Sequence, residues 1–342
     1  MKAELLKEKE IVQQINLCDD KGRLNKESVG WSRNTLYDCN LKGRWLRKKK
    51  WNYWCIISPE CLFSVTISNA DYAGMVFTYF LDLKTKKYIE KTIMTPFGKG
   101  CIMPSKVHET VSFANKKMNV QLKAEGNDTH IISSSPDFNG EKMAADFIVK
   151  FPKNHETLNV VIPWNQKVFQ FTSKEEGLPV EGFIIVGNTT YNFSKDNTFA
   201  CLDYGRGIWP YKVAWNWANA SGIVDGHTIG FNLGAKWTDG TGMTENALLI
   251  DGKLIKLSEN VIYEYDKKNI MKPWTIKTEI TDRVNLKFDP IYERIAKTNL
   301  FIIKSEIHQM IGYFSGEIEA GAEGKIKFEK IPGCAEDHFG QW

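Results

Sequence analysis

The sequence predicts an all-β protein made of two consecutive antiparallel halves, each a barrel or a sandwich. Apolar residues alternate or run as β-branched stretches along most of the chain, and aromatic residues are frequent, with 11 Trp, 12 Tyr and 19 Phe. Pairs that favour tight hairpin turns interrupt these stretches at Asn139-Gly140, Asp225-Gly226, Asp239-Gly240 and Asp251-Gly252. Strands at such spacing, with almost no helix between them, exclude a βαβ architecture.

The alternating pattern predicts about twenty strands. In the first half they cover residues 62–68, 75–83, 88–95, 107–115, 119–124, 129–134, 145–151 and 158–163. After a turn near Gly177-Leu-Pro179 they cover residues 182–187, 198–204, 213–218, 228–233, 247–250, 253–257, 261–265, 274–280, 284–288, 300–309, 312–318 and 325–330. Helical periodicity is confined to residues 3–15 and 289–297, which predict two short helices.

A weak internal repeat supports the division into two halves. Near the start, Gly43-Arg44 precedes Trp51-Asn-Tyr-Trp54 and a strand, and past the middle Gly205-Arg206 precedes Trp215-Asn-Trp217 and a strand. We therefore expect an N-terminal helix or arm at residues 1–20, a first half at 21–170 and a second half at 171–342. The halves are expected to join near residues 165–180.

Composition and charge limit the possible classes of protein. The net charge of +4 over 342 residues is small and argues against a dedicated nucleic-acid binder. The 7 cysteines are scattered, which predicts reduced thiols in a cytoplasmic protein. The charged N-terminus lacks the apolar core of a secretory signal, and no window is long and apolar enough to predict a membrane-spanning helix. We expect a soluble protein with no membrane insertion.

The richest segment for chemistry runs from Cys201 to Trp217. Asp203 is a candidate general acid or base in apolar surroundings, Tyr204 or Tyr211 would relay the proton, and Arg206 would hold a polar group of the ligand. The apolar wall of such a pocket would come from Trp209, Trp215 and Trp217. In the alternative interpretation, Asp203 and Arg206 pair with each other across a strand end and the tryptophans belong to the core.

Two further clusters contain candidate site residues. Glu245 and Asn246 follow a glycine-rich turn, where they would either face a barrel mouth or stabilise the turn. Near the C-terminus, Glu336 and His338 would share one face of a strand, because alternate side chains point the same way, and would carry protons. The alternative for this segment is a solvated tail, although the terminal Trp342 argues against it.

Other patterns carry less information. The run Arg44-Trp-Leu-Arg-Lys-Lys-Lys-Trp51 is either a nucleic-acid stripe or a strand with one lysine-rich face, and the low net charge favours the strand. The histidines show no metal-ligand spacing, so no metal site is expected. Nucleotide-binding and serine-hydrolase motifs are absent, and we predict no cofactor.

Several motifs resemble an uncharacterised bacterial family, domain of unknown function 2804. They are Gly30-Trp-Ser-Arg33, Lys50-Trp-Asn-Tyr-Trp54, Ala70-Asp-Tyr-Ala-Gly74, Asp203-Tyr-Gly-Arg-Gly-Ile-Trp-Pro-Tyr211, Trp215-Asn-Trp217, Thr244-Glu-Asn246 and Ala335-Glu-Asp-His338. The family is remotely similar to lipocalin-like double-barrel proteins that include carotenoid 1,2-hydratases. The resemblance implies two lipocalin-like β-barrels. It implies no particular activity, because fold does not determine function.

Three functions remain open from the sequence. The first is an enzyme that hydrates or isomerises a double bond of a lipid, terpenoid or steroid-like molecule without a cofactor, since the related hydratases protonate an isolated double bond. An acidic carboxyl such as Asp203 and an aromatic wall would suit that chemistry. The second is an intracellular carrier or sensor of a hydrophobic small molecule, and the third is a sugar-binding or interaction scaffold. The sequence leaves the oligomeric state and the ligand open.

Overall fold

The structure is a computed structural model and describes residues 4–300, 303–321 and 324–341. The first twelve strands, β1 to β12, are Ile15–Asn16, Trp31–Ser32, Tyr37–Asp38, Lys48–Ile57, Cys61–Asn69, Ala73–Asp82, Tyr88–Pro96, Val111–Ala114, Asn119–Glu125, Asp128–Phe138, Glu141–Val149 and Leu158–Asn165. The next twelve, β13 to β24, are Val168–Val186, Thr189–Phe193, Phe199–Ile208, Lys212–Val224, His227–Ala235, Ala247–Ile250, Lys253–Lys256, Val261–Glu264, Trp274–Thr278, Val284–Leu300, Ile303–Glu319 and Lys325–Gln341. The described residues contain no α-helix, only a 3₁₀ turn at Lys26–Ser28. The predicted all-β class is confirmed.

Within the described residues, nearly all strands belong to two curled antiparallel sheets. The first sheet has the order β7-β6-β5-β4-β15-β13-β11-β10-β9-β8; β12 and β14 also pair with β13, and β2 pairs with β12. The second has the order β19-β18-β17-β16-β24-β23-β22-β21-β20. The short strands β1 and β3 pair in parallel as a separate ribbon. The two large sheets pack against each other through buried side chains of both, and the candidate site lies where they meet.

Four clusters of buried apolar side chains explain this arrangement. One contains only residues of the first half, including Phe63, Phe147 and Phe171, and another only residues of the second, including Trp274 and Phe314. The remaining two combine residues of both sheets. Each sheet therefore curls around its own core, and its opposite face is buried against the other sheet. Burial on both faces is the reason that many of these strands read as continuous apolar runs.

Strand β13 is 19 residues long and connects different parts of the first sheet. Its first part pairs with β12 and β15, and its last part pairs with β11 and β14. The turn predicted at Gly177-Leu-Pro179 is instead a bulge within this strand, where Gly177 has a φ of 67°. The boundary predicted at residue 170 lies inside β13, whereas the chain passes from one sheet to the other between Ile208 and Lys212.

Both predicted helices are wrong where the structure describes them. Residues 289–297 lie in β22, which pairs with β23 along its whole length and bulges near Pro290. Residues 4–15 form an extended arm that donates a hydrogen bond from Leu6 to Ser258 and another from Ile11 to Trp31. Cross-strand hydrogen bonding outweighs the local periodicity in both segments. Among the described residues, no helix has the length and apolar character needed to cross a lipid bilayer.

Candidate functional site

The candidate site is the seam, which we define as the contact between the inner faces of β4, β13 and β15 and those of β16, β17, β23 and β24. Alternation along each strand sends every second side chain into the seam. On β15 these residues are Cys201, Asp203, Gly205 and Gly207, and on β24 they are Cys334, Glu336 and His338. The predicted common face of Glu336 and His338 is therefore present. The terminal Trp342 lies outside the described residues.

Five tryptophans form a cluster at one end of the seam. Trp209 is buried at its centre, with ring centroids of Trp51, Trp164, Trp215 and Trp237 at 5.6, 5.2, 5.7 and 5.1 Å. Gly205 makes room for this packing, since a Cβ there would lie 2.1 Å from the Trp51 ring. Trp51, Trp164 and Trp215 are only half-buried, so the tryptophan cluster reaches the surface.

Three charged groups meet beside the tryptophan cluster. Lys174 on β13 places its Nζ 2.9 Å from Asp203 Oδ1 and 3.0 Å from Glu245 Oε2. The Lys174 ammonium also lies 5.0 Å from the ring centroid of Trp217. Thr172 donates a hydrogen bond of 3.2 Å to the same oxygen of Asp203. The sequence interpretation that paired Asp203 with Arg206 is wrong, because the cation that faces Asp203 is Lys174.

Burial controls the electrostatics of these groups. Burial alone would lower the pKa of Lys174, but the charges of Asp203 and Glu245 outweigh it and the pKa is raised. Burial raises the pKa of Glu245, against the opposing effect of Lys174. The Asp203 side chain is 20% exposed, whereas those of Lys174 and Glu245 are 5% and 2% exposed. Asp203 is therefore the carboxylate of this group that a ligand from solvent reaches first.

Glu336 lies on the opposite side of the seam, on β24. It accepts hydrogen bonds from Gln309 at 2.8 Å and from the Trp215 indole at 3.3 Å. Gln309 continues the network to Tyr53 and Tyr79, at 3.0 and 2.6 Å. Burial raises the pKa of Glu336 to about 7, and the charge of Asp203 contributes to that increase. A carboxyl with this pKa exchanges its proton near neutral pH.

His338 is packed against the tryptophan cluster. Its ring lies 3.6 Å from that of Trp215 at an angle of 26°, and its Nε2 is 3.0 Å from the Ser305 hydroxyl. Burial lowers the pKa of His338 to about 3. The imidazole is therefore neutral at neutral pH, and its geometry suits positioning of Trp215.

Tyr204 and Arg206 do not reach the seam. Both are buried in the core of the first half, where the Arg206 guanidinium lies 3.8 Å from the Tyr204 ring centroid. Arg206 donates hydrogen bonds to the carbonyls of Trp51, Gly205 and Pro104 and to the side chain of Asn52. Residues 204 and 206 point to the opposite face of β15 from residue 203, because strand side chains alternate. The structure therefore separates them from Asp203.

Three other predicted site residues have structural partners. Tyr211 is exposed, and its hydroxyl accepts a hydrogen bond from Gln341. Asn246 accepts from the Gly234 amide and donates to the Glu259 carbonyl, so it connects two segments outside its own turn and does not stabilise that turn as the alternative predicted. Trp217 lies in the seam, where its indole donates to Asn232 at 2.7 Å. Of the three, Trp217 is the one whose ring lies against the Lys174 ammonium.

Sequence reasoning did not identify Lys174, Gln309 or Tyr53 as part of the site. These residues lie on three strands that are far apart in the sequence and meet only when the two sheets pack. The one local signal was the charged run Lys174-Glu-Glu176 inside an apolar strand. Lys174 and Glu176 are buried in the seam, and burial raises the pKa of Glu176 well above its usual value.

The seam is closely packed. Two voids along it have volumes of about 10 Å³ each, and both border Glu176. That volume accommodates about one water molecule. A larger ligand would therefore enter by displacing the half-buried indoles of the tryptophan cluster. Among the described residues, no group of three or more His, Cys, Asp or Glu side chains is arranged to hold a metal ion.

Two curled antiparallel sheets, each with its own core and joined along a buried seam, define a lipocalin-like double-barrel protein. The family model described as Domain of unknown function (DUF2804) matches residues 8–342, nearly the whole chain. The chain belongs to this family, as its motifs predicted. A comparison of the sequence with curated proteins found no match.

Solved structures are similar to this chain at low sequence identity. A protein assigned as AttH from Nitrosomonas europaea is 10% identical, with a TM-score of 0.51 over 85% of this chain and 92% of its own. CghA, solved with Sch210972, is 8% identical, with a TM-score of 0.52 over 86% of this chain and 89% of its own. Kievitone hydratase from Nectria haematococca is 9% identical, with a TM-score of 0.47 over 86% of this chain and 89% of its own.

Proposed function

We propose that the protein binds a largely apolar small molecule, such as a lipid, terpenoid or steroid-like compound, at the mouth of the seam. There it would add water to a double bond, or isomerise one, by acid–base catalysis without a cofactor. One observation carries this proposal. Asp203 and Glu336, from different halves, approach a half-exposed tryptophan wall. Asp203 is paired with Lys174, whereas Glu336 accepts hydrogen bonds from the neutral Gln309 and Trp215.

The two carboxyl groups suit different steps. Glu336, with a pKa near neutrality, would donate its proton to one alkene carbon, so that its O–H bond breaks as the new C–H bond forms. The resulting cation would be stabilised by the faces of Trp51 and Trp215. Water would add to the other carbon and lose a proton to Asp203, whose negative charge Lys174 stabilises. Proton return from Asp203 to Glu336 through water would complete the cycle.

A non-catalytic carrier is the second candidate. It is favoured by the ion pair between Lys174 and Asp203, which satisfies the carboxylate without any reaction. A sugar-binding scaffold has less support at this site, because the tryptophans of the cluster are buried or half-buried and are not open platforms.

The test is a search for turnover in D2O. Native mass spectrometry of protein purified from its own cells would first reveal any small molecule that co-purifies. The protein would then be incubated in D2O with a panel of unsaturated fatty acids, terpenoids and sterols. A hydratase adds one D2O to its substrate, an isomerase incorporates deuterium at carbon, and a carrier binds the compound unchanged.

Substitutions assign the catalytic groups. Glu336→Gln and Asp203→Asn should each lower turnover by roughly a hundredfold or more while ligand affinity is largely kept, because the amides retain size but cannot transfer the proton. The matched control is Asp337→Asn, which alters the neighbouring carboxylate that pairs with Lys236 at 3.1 Å. Retained turnover in both site variants would refute the catalytic assignment. Binding without turnover in the wild type would favour the carrier.

A further inference from the structure

One end of the first half carries features that the seam does not explain. Strands β4 and β6 begin there and β5 and β7 end there, so that three loops lie side by side, at residues 42–47, 70–72 and 97–102. The backbone amide of Phe97 donates to the Tyr72 carbonyl, and that of Lys48 to the Asp71 side chain. We call these three loops the basic end.

The basic end exposes large apolar side chains. Trp45 is 71% exposed and Phe97 is 65% exposed. Their rings stack on each other with centroids 6.4 Å apart and an angle of 15°. Ile102 and Met94, at the same end of the sheet, are also exposed. Exposed apolar side chains grouped in this way are characteristic of an interaction surface.

Positive charge surrounds this aromatic pair. No acidic residue occurs within residues 42–50. Lys42, Arg44 and Lys99 are exposed, and no carboxylate pairs with them among the residues that the structure describes. Asp71 is paired with Lys48 at 3.0 Å and does not neutralise them. The surface therefore combines exposed aromatic groups with unneutralised cations.

We propose that the basic end docks on the surface of an anionic lipid membrane. Trp45 and Phe97 would enter the headgroup region, where aromatic rings are favoured, while Lys42, Arg44 and Lys99 contact the acidic headgroups. A single-stranded nucleic acid would also attract the charges, but it needs open ring faces for base stacking. Of the four exposed apolar side chains here, Met94 and Ile102 have no ring on which a base could stack and offer no hydrogen bonds, whereas both can be buried among lipid headgroups.

The basic end is continuous with the mouth of the seam. Arg47 donates a hydrogen bond of 3.1 Å to the Trp209 carbonyl, and β4 runs from this end directly to the half-buried Trp51. An apolar compound dissolved in the bilayer would therefore reach the tryptophan cluster without crossing water. This delivery role rests on the proposed function, whereas the docking itself does not.

Vesicle flotation tests the docking in the absence of any substrate. A negative result would therefore count against the docking alone, and not against the chemistry proposed at the seam. The full-length protein should float with vesicles of phosphatidylcholine and phosphatidylglycerol, and bind much less to phosphatidylcholine alone. Added salt should weaken the binding, because it screens exposed charges. Replacing Lys42, Arg44 and Lys99 together by Gln should lower the partition coefficient roughly a hundredfold, about fivefold for each charge.

The aromatic contribution has its own variants. Trp45→Ala with Phe97→Ala should lower partitioning by roughly tenfold or more, because the buried apolar area is lost. In the matched control, the exposed Ile223 and Phe339 of the second half are replaced by Ala. Replacement of Lys195, Lys267 and Lys268 by Gln controls for net charge. Both control proteins should float like the wild type.

A second measurement reports the position of the indole. Brominated phospholipid should quench part of the tryptophan emission of the wild type, and Trp45→Phe should remove most of that quenching while the protein still floats. No flotation of the wild type, or equal flotation of all variants, would overturn the proposal. Binding of a single-stranded oligonucleotide without vesicle binding would also overturn it, in favour of a nucleic-acid surface.

Discussion

The pKa of Glu336 makes a quantitative prediction about stability. Its value of about 7 exceeds the ordinary value of 4.5 by roughly two to three units, and each unit corresponds to about 1.4 kcal/mol. The folded state therefore binds the proton more tightly than the unfolded state. The stabilisation from this difference is fully present below the pKa that Glu336 has in the unfolded state. It is lost as the pH rises through the pKa that Glu336 has in the folded state. Between about pH 4.5 and pH 8, Glu336 should lower the free energy of unfolding by about 3 kcal/mol.

Glu336→Gln removes this titration. The free energy of unfolding of the variant minus that of the wild type should therefore rise by about 3 kcal/mol from acid to alkaline pH. Urea unfolding of both proteins at about pH 4.5, 6 and 8 measures the difference, in which the other titrating groups cancel. A difference that stays constant to within about 1 kcal/mol would refute the raised pKa, and with it the role of Glu336 as an acid near neutrality.

Glu90→Gln is the control of opposite sign. Burial alone would raise the pKa of Glu90, but Arg294, 2.8 Å away, outweighs it and the pKa is lowered. The stability from this ion pair is present above the unfolded pKa and is lost as pH falls through the folded pKa. The destabilisation caused by Glu90→Gln should therefore shrink toward acid pH, whereas no such decrease is expected for Glu336→Gln.

Three further substitutions test the placement of residues. Lys174→Met should lower the free energy of unfolding, measured by urea unfolding at neutral pH, by about 3–5 kcal/mol, because Glu245 stays buried without its cation. The double variant that also carries Glu245→Gln should recover much of this loss. Arg206→Lys should cost about 3 kcal/mol in the same assay, since an ammonium cannot replace the guanidinium hydrogen bonds, yet leave ligand binding at the seam unchanged. Gly205→Ala should cost about 1–3 kcal/mol and shift the tryptophan emission, because Trp51 must move. An Arg206→Lys variant that loses ligand binding, or a Gly205→Ala variant with unaltered emission, would contradict the geometry.

Local signals in the sequence predicted three hairpins correctly, whereas the fourth, Asp239-Gly240, lies in the longer connection 236–246 between β17 and β18 and is not a tight hairpin turn. Asn139-Gly140 connects β10 to β11, Asp225-Gly226 connects β16 to β17, and Asp251-Gly252 connects β18 to β19. Asn139, Asp225 and Asp251 have positive φ, as tight hairpin turns require. The turn chemistry is confined to neighbouring residues, so it can be recognised without knowledge of the partner strand.

The long strands were underestimated because their stability is not local. Strands β22, β23 and β24 each contain 17 residues, and β23 pairs with the other two, but the sequence predicted only parts of them. Residues 289–297 have the spacing of a short amphipathic helix, and only the hydrogen bonds to β23 decide their conformation. A pattern that is ambiguous in one segment is resolved by a partner strand elsewhere in the chain.

The candidate site shows the same limit. Asp203, Glu336, Trp209 and Trp215 were identified because they are concentrated in short segments. Trp164, Trp237, Lys174 and Gln309 are isolated in the sequence and were missed. Alternation alone separates Asp203 from Arg206, since positions that differ by an odd number lie on opposite faces of a strand. The true partner of Asp203 could be identified only from the register of β13 and β15, in which Lys174 lies directly opposite Asp203.

The carboxyl groups of Asp203 and Glu336 differ in their electrostatic environment because each sheet contributes different neighbours to the seam. Asp203 comes from the first sheet with a lysine in register and some contact with solvent, and Glu336 comes from the second sheet, where the neutral Gln309 and Trp215 donate hydrogen bonds to it. Neither sheet alone supplies both environments, and separation of the halves would return Glu336 to water and its pKa toward the ordinary value. The acid–base asymmetry is thus a property of the packed interface. Any change that loosens the seam, even far from both carboxyls, should shift the pKa of Glu336 downward before the fold itself is lost.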